Sequence, residues 1–573
     1  MKKLDVNNSK QNSKNNEKRN QSENFDNNYN IAINYYTKGI NDDNSNIDFL
    51  IKRATINLAK GYYSLSLKDS LKAIELNPDN SKGNYFAALS YIEMLELEKA
   101  EKLSKDKKIQ LLIENKKNEI KERIKIDKSY PKFINMVKEL YKYDSFFPKV
   151  DIIYLPNEYR GIIATSEIKK DEVIIIIPYQ YLISLDLASQ TLIGKEISTF
   201  INDNNNKLNS PKHSLLSSFL LSEEKNPKWK FYFDILPKDF SSFPIFFNEK
   251  ELEYLKGSPT LNQILNKKKD IKEDYDKLCK NIKEFSKFSF QKFCESRMII
   301  SSRVFGIELE NKKTDVLVPF ADLLNHKRPK ETIWYYNNSL KGFVIQAIQD
   351  IKKGSEIFYS YGIKCNSRFL LNYGFALENN DYMEVIFNIN FNDSYPLFND
   401  KKKCFKNDNN YIQNFVLSNV IKFGENDFNK ILSFIRFLMY DGELNSLKDA
   451  MRFKDKTNNE EYFSFYDIKI LSKDLEINVL KHFRSLLIQN LLKYPTSYEQ
   501  DQVNLKKKNI SVNQKNCIWV IMSEKYVLLY YIYFCEYCLS LFKISIDSKI
   551  NTTLKFNFSQ LNLYIEQLKK LQK

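Results

Sequence analysis

Tyr29, Tyr63 and Leu97 stand 34 residues apart, Ala32, Ser66 and Ala100 follow each by the same step, and Ile40 and Ile74 repeat the offset. A period of that length constrains the chain more than any local pattern, because it calls for paired antiparallel helices that bury their apolar faces only by stacking. Gly61 supplies the turn inside the middle unit, and Pro78 in "ELNPDN" stops its second helix. Small side chains at Ala32, Ser66 and Ala100 let the helices approach closely. The 573 residues exceed what a single core supports, so further domains are expected beyond the repeats.

Residues 1–28 are dominated by Asn, Lys, Ser and Glu, have almost nothing to bury, and read as a disordered tail. Residues 29–114 hold the helical repeats, and the Lys/Glu-rich stretch 115–130 reads as a charged helical linker. The pattern then turns β-like over 131–395, where "ATSEIKKDEVIIIIP" and "AIQDIKKGSEIFYSYG" share one plan and look like separate hairpin-type connections in small sheets. Between them, residues about 184–305 follow a helical period and read as one insertion. Long amphipathic runs over 405–545 predict an all-helical C-terminal domain, and 546–573 a mostly polar tail with one last helix. The fold class is therefore multidomain α+β: an α-solenoid, a β-rich domain split by helices, and an all-α domain.

The formal charge of +16 is spread over Lys residues interleaved with Glu, Asp and Asn, with no concentrated basic arm, so no nucleic-acid partner is expected. The longest apolar run, Val527 to Phe542, is shorter than a bilayer span and carries Glu536, which makes it a buried helix with no membrane role. Six of the seven cysteines come after residue 290 and read as reduced thiols of an intracellular protein, in cytoplasm and/or nucleus. Cys535 and Cys538 have no second pair nearby, so no metal site is expected.

Two motifs carry the chemistry: "VLVPFADLLNHKRP" (316–329) and "EIFYSYGIKCNSRFLLNYGF" (356–375), with "NEYRGIIAT" upstream and "SSRVFGI" between them. Each alone reads as a turn or a strand end. Together, in this order and spacing, they resemble the SET-domain protein methyltransferases, and most of all the Rubisco large-subunit methyltransferase-like branch, in which a helical insert splits the SET domain and a helical substrate-binding domain follows. The resemblance covers residues 133–545, including "YPTSYEQD" (494–501) and "MSEKYVLL" (522–529). The scattered Cys279, Cys294, Cys365 and Cys404 fit the zinc-free branch. The N-terminal repeats are similar to tetratricopeptide repeats over residues 15–114 and offer a surface for a peptide or protein partner. Lys82 matches a lysine of the family's carboxylate clamp, but Lys52 and Phe86 replace its Asn and Arg, which speaks against chaperone docking.

The resemblance implies S-adenosyl-L-methionine as co-substrate and no metal. The backbone at Glu158, Tyr159 and Arg160 would pass over the donor; relatives have a glycine where Tyr159 sits, and here only Gly161 remains. Asn325 and His326 would contact the donor with Asp322 nearby, Arg303 would hold its carboxylate, and Phe375 would line the adenosine side. Tyr361 would be the catalytic tyrosine and Tyr373 would line the target channel. Histidine-directed relatives carry a polar Asn and a Trp at the positions of Phe305 and Ala321; an apolar channel here suits an alkyl amine better than an imidazole. Burial beside a positive sulfonium lowers a lysine's pKa by desolvation and like-charge repulsion, exposing the lone pair. The expected function is protein-lysine N-methylation of a protein held by the SET and C-terminal domains. The alternatives are histidine methylation by the same class of enzyme and a binding scaffold with an inactive SET domain, the latter motivated by Tyr159.

Overall fold

Asn46 and Asn80, 34 residues apart, each cap a helix by accepting a backbone N–H, from Phe49 and from Gly83. The computed structural model describes residues 29–155, 159–203, 207–309, 311–404, 411–420, 427–454, 461–546 and 550–572, so the expected disordered tail 1–28 lies outside the described residues. The chain divides into two units: the first takes the N-terminal part to Pro237 together with Lys277–Tyr361, the second Lys238–Asp276 with everything from Gly362.

The first unit opens with helices α1 (29–42), α2 (Ile47–Ala59), α3 (Tyr63–Leu76), α4 (Ser81–Glu93), α5 (Leu97–Leu103) and α6 (Lys107–Ile126). Ile47 and Ser81 start helices at the repeat offset, as do Tyr63 and Leu97, and each helix from α2 to α5 packs on the next through fully buried Ala54, Ala73, Ala88 and Ala100. The stretch expected as a charged helical linker, 115–130, is helical to Ile126 as the C-terminal part of α6 and has no fully buried residue before Tyr130. Before that stretch α6 buries Ile109 and Ile113, and within it Arg123 pairs with Asp151 at 2.7 Å.

The turn after α2 is also a contact surface. Gly61 has φ +84°, and a Cβ there would come within 2.4 Å of Pro148. Tyr62 packs on Phe146 at 4.7 Å, Tyr63 on Tyr141 at 5.6 Å, and the Ser64 hydroxyl donates to the Tyr141 carbonyl at 2.5 Å. The helical repeats are thus seated on the β-rich part that follows them.

That part begins with α7 (Tyr130–Leu140) and contains β1 (Val150–Leu155), β2 (Tyr159–Ala164), β3 (Val173–Pro178), β4 (Ile183–Ser184), β5 (Phe305–Leu309), β6 (Lys312–Leu317), β7 (Asn325–His326), β8 (Thr332–Asn337), β9 (Gly342–Ala347) and β10 (Glu356–Tyr359). They form three small sheets, ordered β1-β2-β10-β7, β3-β9-β8 and β4-β6-β5. The two look-alike segments do not make separate hairpins. They face each other, with Ile168 bridging Ile351, Lys170 N donating to the Asp350 carboxylate at 2.8 Å, and β3 antiparallel to β9. The strands that follow the two turns go to different sheets, β3 to β9 and β10 to β2 and β7.

Helices occupy the interval between β4 and β5, as the period predicts, but they are not one body. Residues 238–276 group with the second unit, where Ser258 and Thr260 donate to Glu524. The expectation of a single insertion is corrected accordingly.

The second unit is built around the helix Val512–Leu541, whose most apolar stretch is 78% buried. It is long and apolar enough to cross a bilayer, yet it packs against Phe428, Phe483 and Tyr564 as a core helix. The all-helical expectation is also corrected: Glu384–Asn390 pairs antiparallel with Ile412–Ser418, and Arg452–Lys454 with Glu461–Phe463. Val385, Phe387 and Ile389 alternate with more exposed neighbours and meet Phe415 and Leu417, a period of two that flanking Asn and Lys runs conceal. The C-terminal stretch expected as a polar tail with one last helix has that helix at Asn562–Lys570, which buries Tyr564, Ile565 and Leu568 in the same core.

Two motifs separated in sequence meet here. Glu524 accepts from Tyr494 at 2.9 Å, and Lys525 donates to Thr496 at 3.0 Å and pairs with Asp501, so "YPTSYEQD" and "MSEKYVLL" form one buried polar network.

Candidate functional site

β7 is two residues long and lies parallel to β10, pairing Asn325 with Phe358 and His326 with Tyr359. Both strand ends are thereby fixed by backbone bonds, and the side chains on them gain few ways to move. The Asn325 amide donates to the Arg160 carbonyl at 2.6 Å and to Glu356 Oε1 at 2.8 Å, tying β7 to β2 and β10. Gly161 makes room for this bridge: a Cβ there would stand 2.3 Å from Glu356 Oε1 and 3.0 Å from Asn325 Nδ2. A glycine is required at this point by close approach, not by its φ angle.

His326 accepts the Tyr361 backbone N–H on Nδ1 at 3.0 Å, so the ring is neutral with its proton on Nε2. The Tyr361 hydroxyl donates to the Leu324 carbonyl at 3.1 Å, and its ring stands 4.8 Å from that of Tyr359 and 5.1 Å from His326. Phe305 packs against Tyr359 at 5.4 Å, Phe343 at 4.9 Å and Trp334 at 5.5 Å, an aromatic wall with no polar group facing it from Phe305 itself.

The turn before β7 is strained. Phe320 has φ +72° and ψ −50°, a region that a bulky residue enters only when its surroundings compel it. Its fully buried ring is sandwiched by Phe147 at 4.4 Å and Phe133 at 6.1 Å. Ala321, Asp322 and Leu323 follow in a buried single turn.

Asp322 anchors the charged part of the site. Its carboxylate accepts from the Tyr232 hydroxyl at 2.7 Å and lies 3.2 Å from Arg303 Nη1, which also donates to the Asp322 carbonyl at 2.9 Å. Burial pushes the Asp322 carboxyl above the usual carboxylate range, with Arg303 and Tyr232 opposing it only in part. Burial also works against the Arg303 guanidinium, but Asp322 holds it above its ordinary value, so the arginine stays charged. Among the described residues, Arg303 Nε and Asp322 Oδ1 have no hydrogen-bond partner although both atoms are buried. Two such atoms on one ion pair are uncommon in a native interior and ask for a ligand.

Of the residues singled out from sequence, Arg160, Arg303, Asp322, Asn325, His326 and Tyr361 are brought together in the first unit, with Phe305 and Ala321 buried beside them. Glu158 lies outside the described residues, and Tyr159 opens β2 opposite Leu155. Tyr373 and Phe375 belong to the second unit: Tyr373 ends the helix Asn366–Tyr373, Gly374 turns it at φ +77°, and Phe375 stacks on Phe369 at 5.1 Å. Burial pushes the Tyr373 hydroxyl up to about 12. Sequence reasoning missed Glu356 and Tyr232. Glu356 is the acid of "EIFYSYG", and Tyr232 sits in the aromatic, Pro-punctuated "NPKWKFYFDILP", where burial is legible but a specific partner is not. Among the described residues no cluster of His, Cys, Asp and Glu could hold a metal ion.

Known proteins resemble this chain over two regions. The SET domain family model matches residues 159–362 and the Rubisco LSMT substrate-binding model residues 392–528. A ribosomal lysine N-methyltransferase of Schizosaccharomyces pombe is 28% identical over 270 residues, 46% of this chain and 47% of that protein. The actin-histidine N-methyltransferase of Homo sapiens is 24% identical over 400 residues, 66% of this chain and 64% of that protein. The chain therefore spans between about half and just under two thirds of the length of these relatives. The solved structure of Rubisco LSMT bound to AdoMet superposes with a TM-score of 0.57 at 21% identity, covering 76% of this chain and 99% of the other. Rubisco LSMT bound to sinefungin and monomethyllysine gives 0.57 at 22% identity, over 73% and 94%. The chain carries a SET domain followed by a Rubisco LSMT substrate-binding domain, in the fold of the LSMT structures.

Proposed function

We propose that this protein is an S-adenosylmethionine-dependent protein N-methyltransferase whose acceptor is lysine. One observation carries the reading: Tyr361 is held by its backbone on His326 and by its hydroxyl on Leu324, directly beside the buried Arg303–Asp322 pair. When bound, S-adenosylmethionine supplies an activated methyl group. The residues fit its amino-acid end. Among the described residues, Arg303 Nε is a buried donor with no partner, suited to a carboxylate, and Asp322 Oδ1 is a buried acceptor suited to an ammonium. Asn325, His326 and the backbone at Arg160, kept close by Gly161, would hold the rest.

The chain's own part in the reaction is positioning. The Tyr361 hydroxyl proton is committed to Leu324, so the oxygen meets a substrate amine as an acceptor and orients its lone pair. Phe305 and Ala321 are both buried and apolar, which supports an alkyl amine as acceptor. The second reading, histidine methylation, is favoured by the 400-residue match to relatives named for that acceptor. The Rubisco LSMT substrate-binding domain supports a protein substrate held there, and the repeats, recurring at 34 residues, support a tetratricopeptide-like surface for a further protein partner. Seven free cysteines support an intracellular protein, in cytoplasm and/or nucleus.

The experiment incubates full-length protein with labelled S-adenosylmethionine and protein extract, hydrolyses the products and identifies the methylated amino acid. Methyllysine is expected, with Tyr361→Phe lowering incorporation about a hundredfold, the size of losing one preorganised catalytic hydrogen-bonding group. Methylhistidine would overturn the acceptor assignment alone. Absence of S-adenosylmethionine binding by folded protein would leave the scaffold reading.

A further inference from the structure

Tyr232 lies in the one-turn helix Lys230–Phe233, between Pro227 and Pro237, and is fully buried with Trp229 nearby. A phenol in such a place must find a partner or lose the free energy of its water hydrogen bonds. It finds Asp322 Oδ2, at 2.7 Å. The same oxygen faces Arg303 Nη1, while Oδ1 has no partner among the described residues.

The asymmetry has a consequence for the arginine. A carboxylate can exchange its two oxygens by rotating about its last side-chain torsion, which is soft. The Tyr232 hydroxyl takes one oxygen and so selects one orientation, which in turn holds Nη1 of Arg303 on Asp322 and leaves Nε for a ligand. Burial and the neighbouring Asp322 keep the phenol protonated, so it acts as donor throughout. Three residues further on, the Ile235 carbonyl accepts from Arg160 Nη1 at 2.8 Å. This short segment of the insertion therefore braces both Arg303, through Asp322, and Arg160 on β2.

We propose that Tyr232 is a positioning residue for donor binding: its hydroxyl orients Asp322, and Asp322 aims the Arg303 guanidinium at the carboxylate of S-adenosylmethionine. This rests on the methyltransferase reading above. A tyrosine serving only to fill the core would need its ring and not its hydroxyl.

The test uses full-length protein and calorimetry with S-adenosylhomocysteine, which binds without reacting. Tyr232→Phe is expected to raise Kd about tenfold, and to raise KM for S-adenosylmethionine with kcat and KM for the protein substrate unchanged, while the thermal midpoint moves little. In an Arg303→Lys background the same change should have almost no further effect on Kd, because the hydroxyl acts through the guanidinium. In an Asp322→Asn background, where the carboxylate is already gone, Tyr232→Phe should likewise add almost no further loss, and Tyr232→Met, which also lacks the hydroxyl, serves as the arm if the phenylalanine variant misfolds. Wild-type affinity in Tyr232→Phe, or an equal loss in the Arg303→Lys background, would sink the proposal. If wild type itself fails to bind, the methyltransferase reading falls first and takes this one with it.

Discussion

Each unit buries a cluster of charges, and the two are finished differently. In the second unit Glu524 accepts from Ser258, Thr260 and Tyr494, and Lys525 meets both Asp501 and Thr496. In the first, Arg303 and Asp322 leave one nitrogen and one oxygen with no partner among the described residues. Taking charges out of water costs several kcal/mol per ion, and good pairing with full hydrogen bonding returns it. The second-unit network is closed in that sense. The first-unit pair is left open, and the cost it carries would be offset by a ligand. Displaced pKa values do not separate the two, because burial pushes the carboxyls of both Asp322 and Glu524 upward. Hydrogen-bond satisfaction separates them, and between these two clusters the open valences lie on the pair beside Tyr361.

The comparison breaks most readily at Lys525. Lys525→Met would leave Asp501, which is almost fully buried, without its cation, and should destabilise the protein by about 3–5 kcal/mol in urea unfolding. A loss below about 1 kcal/mol, the scale of an exposed pair, would show that the network is not closed at all. Next in size is the response to ligand. S-adenosylmethionine at about 100 times Kd should stabilise wild type by about 2.7 kcal/mol, seen as a rise in thermal midpoint, and Arg303→Ala should remove most of that rise. An unchanged rise in the variant would mean that the open pair is not the binding point. Gly161→Ala comes third. The added methyl meets Glu356 Oε1 and Asn325 Nδ2 inside contact distance, so a cost of about 1–3 kcal/mol is expected together with weaker donor binding. Stability equal to wild type would show that the Asn325 bridge yields at no cost.

What a reader of the sequence can see follows the same division. The repeat, the split of the middle domain and the residues of "FADLLNH" and "YSYG" are legible because each depends on a period or on a contiguous motif. Glu356 is visible as a letter but not as a partner of Asn325, since that contact joins β10 to β7 across 31 residues. Tyr232 is further still, 90 residues from Asp322, and in sequence it looks like any other aromatic of a buried segment. The strand pair Glu384–Asn390 with Ile412–Ser418 is hidden for a different reason: its short alternation is framed by polar runs, and the amphipathic helices after it dominate the pattern. That Tyr494, Thr496 and Asp501 meet Glu524 and Lys525 is not legible either, because nothing in a linear spacing says which side chain closes which valence.

The last effect emerges only above about pH 8 and concerns a third charge, Lys401, which is fully buried and finishes a helix rather than a site. Its ammonium donates to the carbonyls of Leu438 at 2.8 Å and Tyr440 at 2.6 Å, the end of the helix Phe428–Met439, where the backbone dipole favours a cation. Burial nonetheless lowers its pKa to about 8. In the unfolded chain the same group keeps its proton up to its ordinary value of about 10.4. Between those two values the unfolded state binds a proton that the folded state has released, so folding stability should rise as pH rises from about 8 to about 10, by at most about 1.4 kcal/mol per pH unit from this group. The measurement is the difference in unfolding free energy between wild type and Lys401→Met as a function of pH, which cancels the titration of the tyrosines common to both. A difference that grows in favour of wild type over that window supports a lysine held against its own desolvation. A flat difference would mean that the two carbonyls compensate the burial in full.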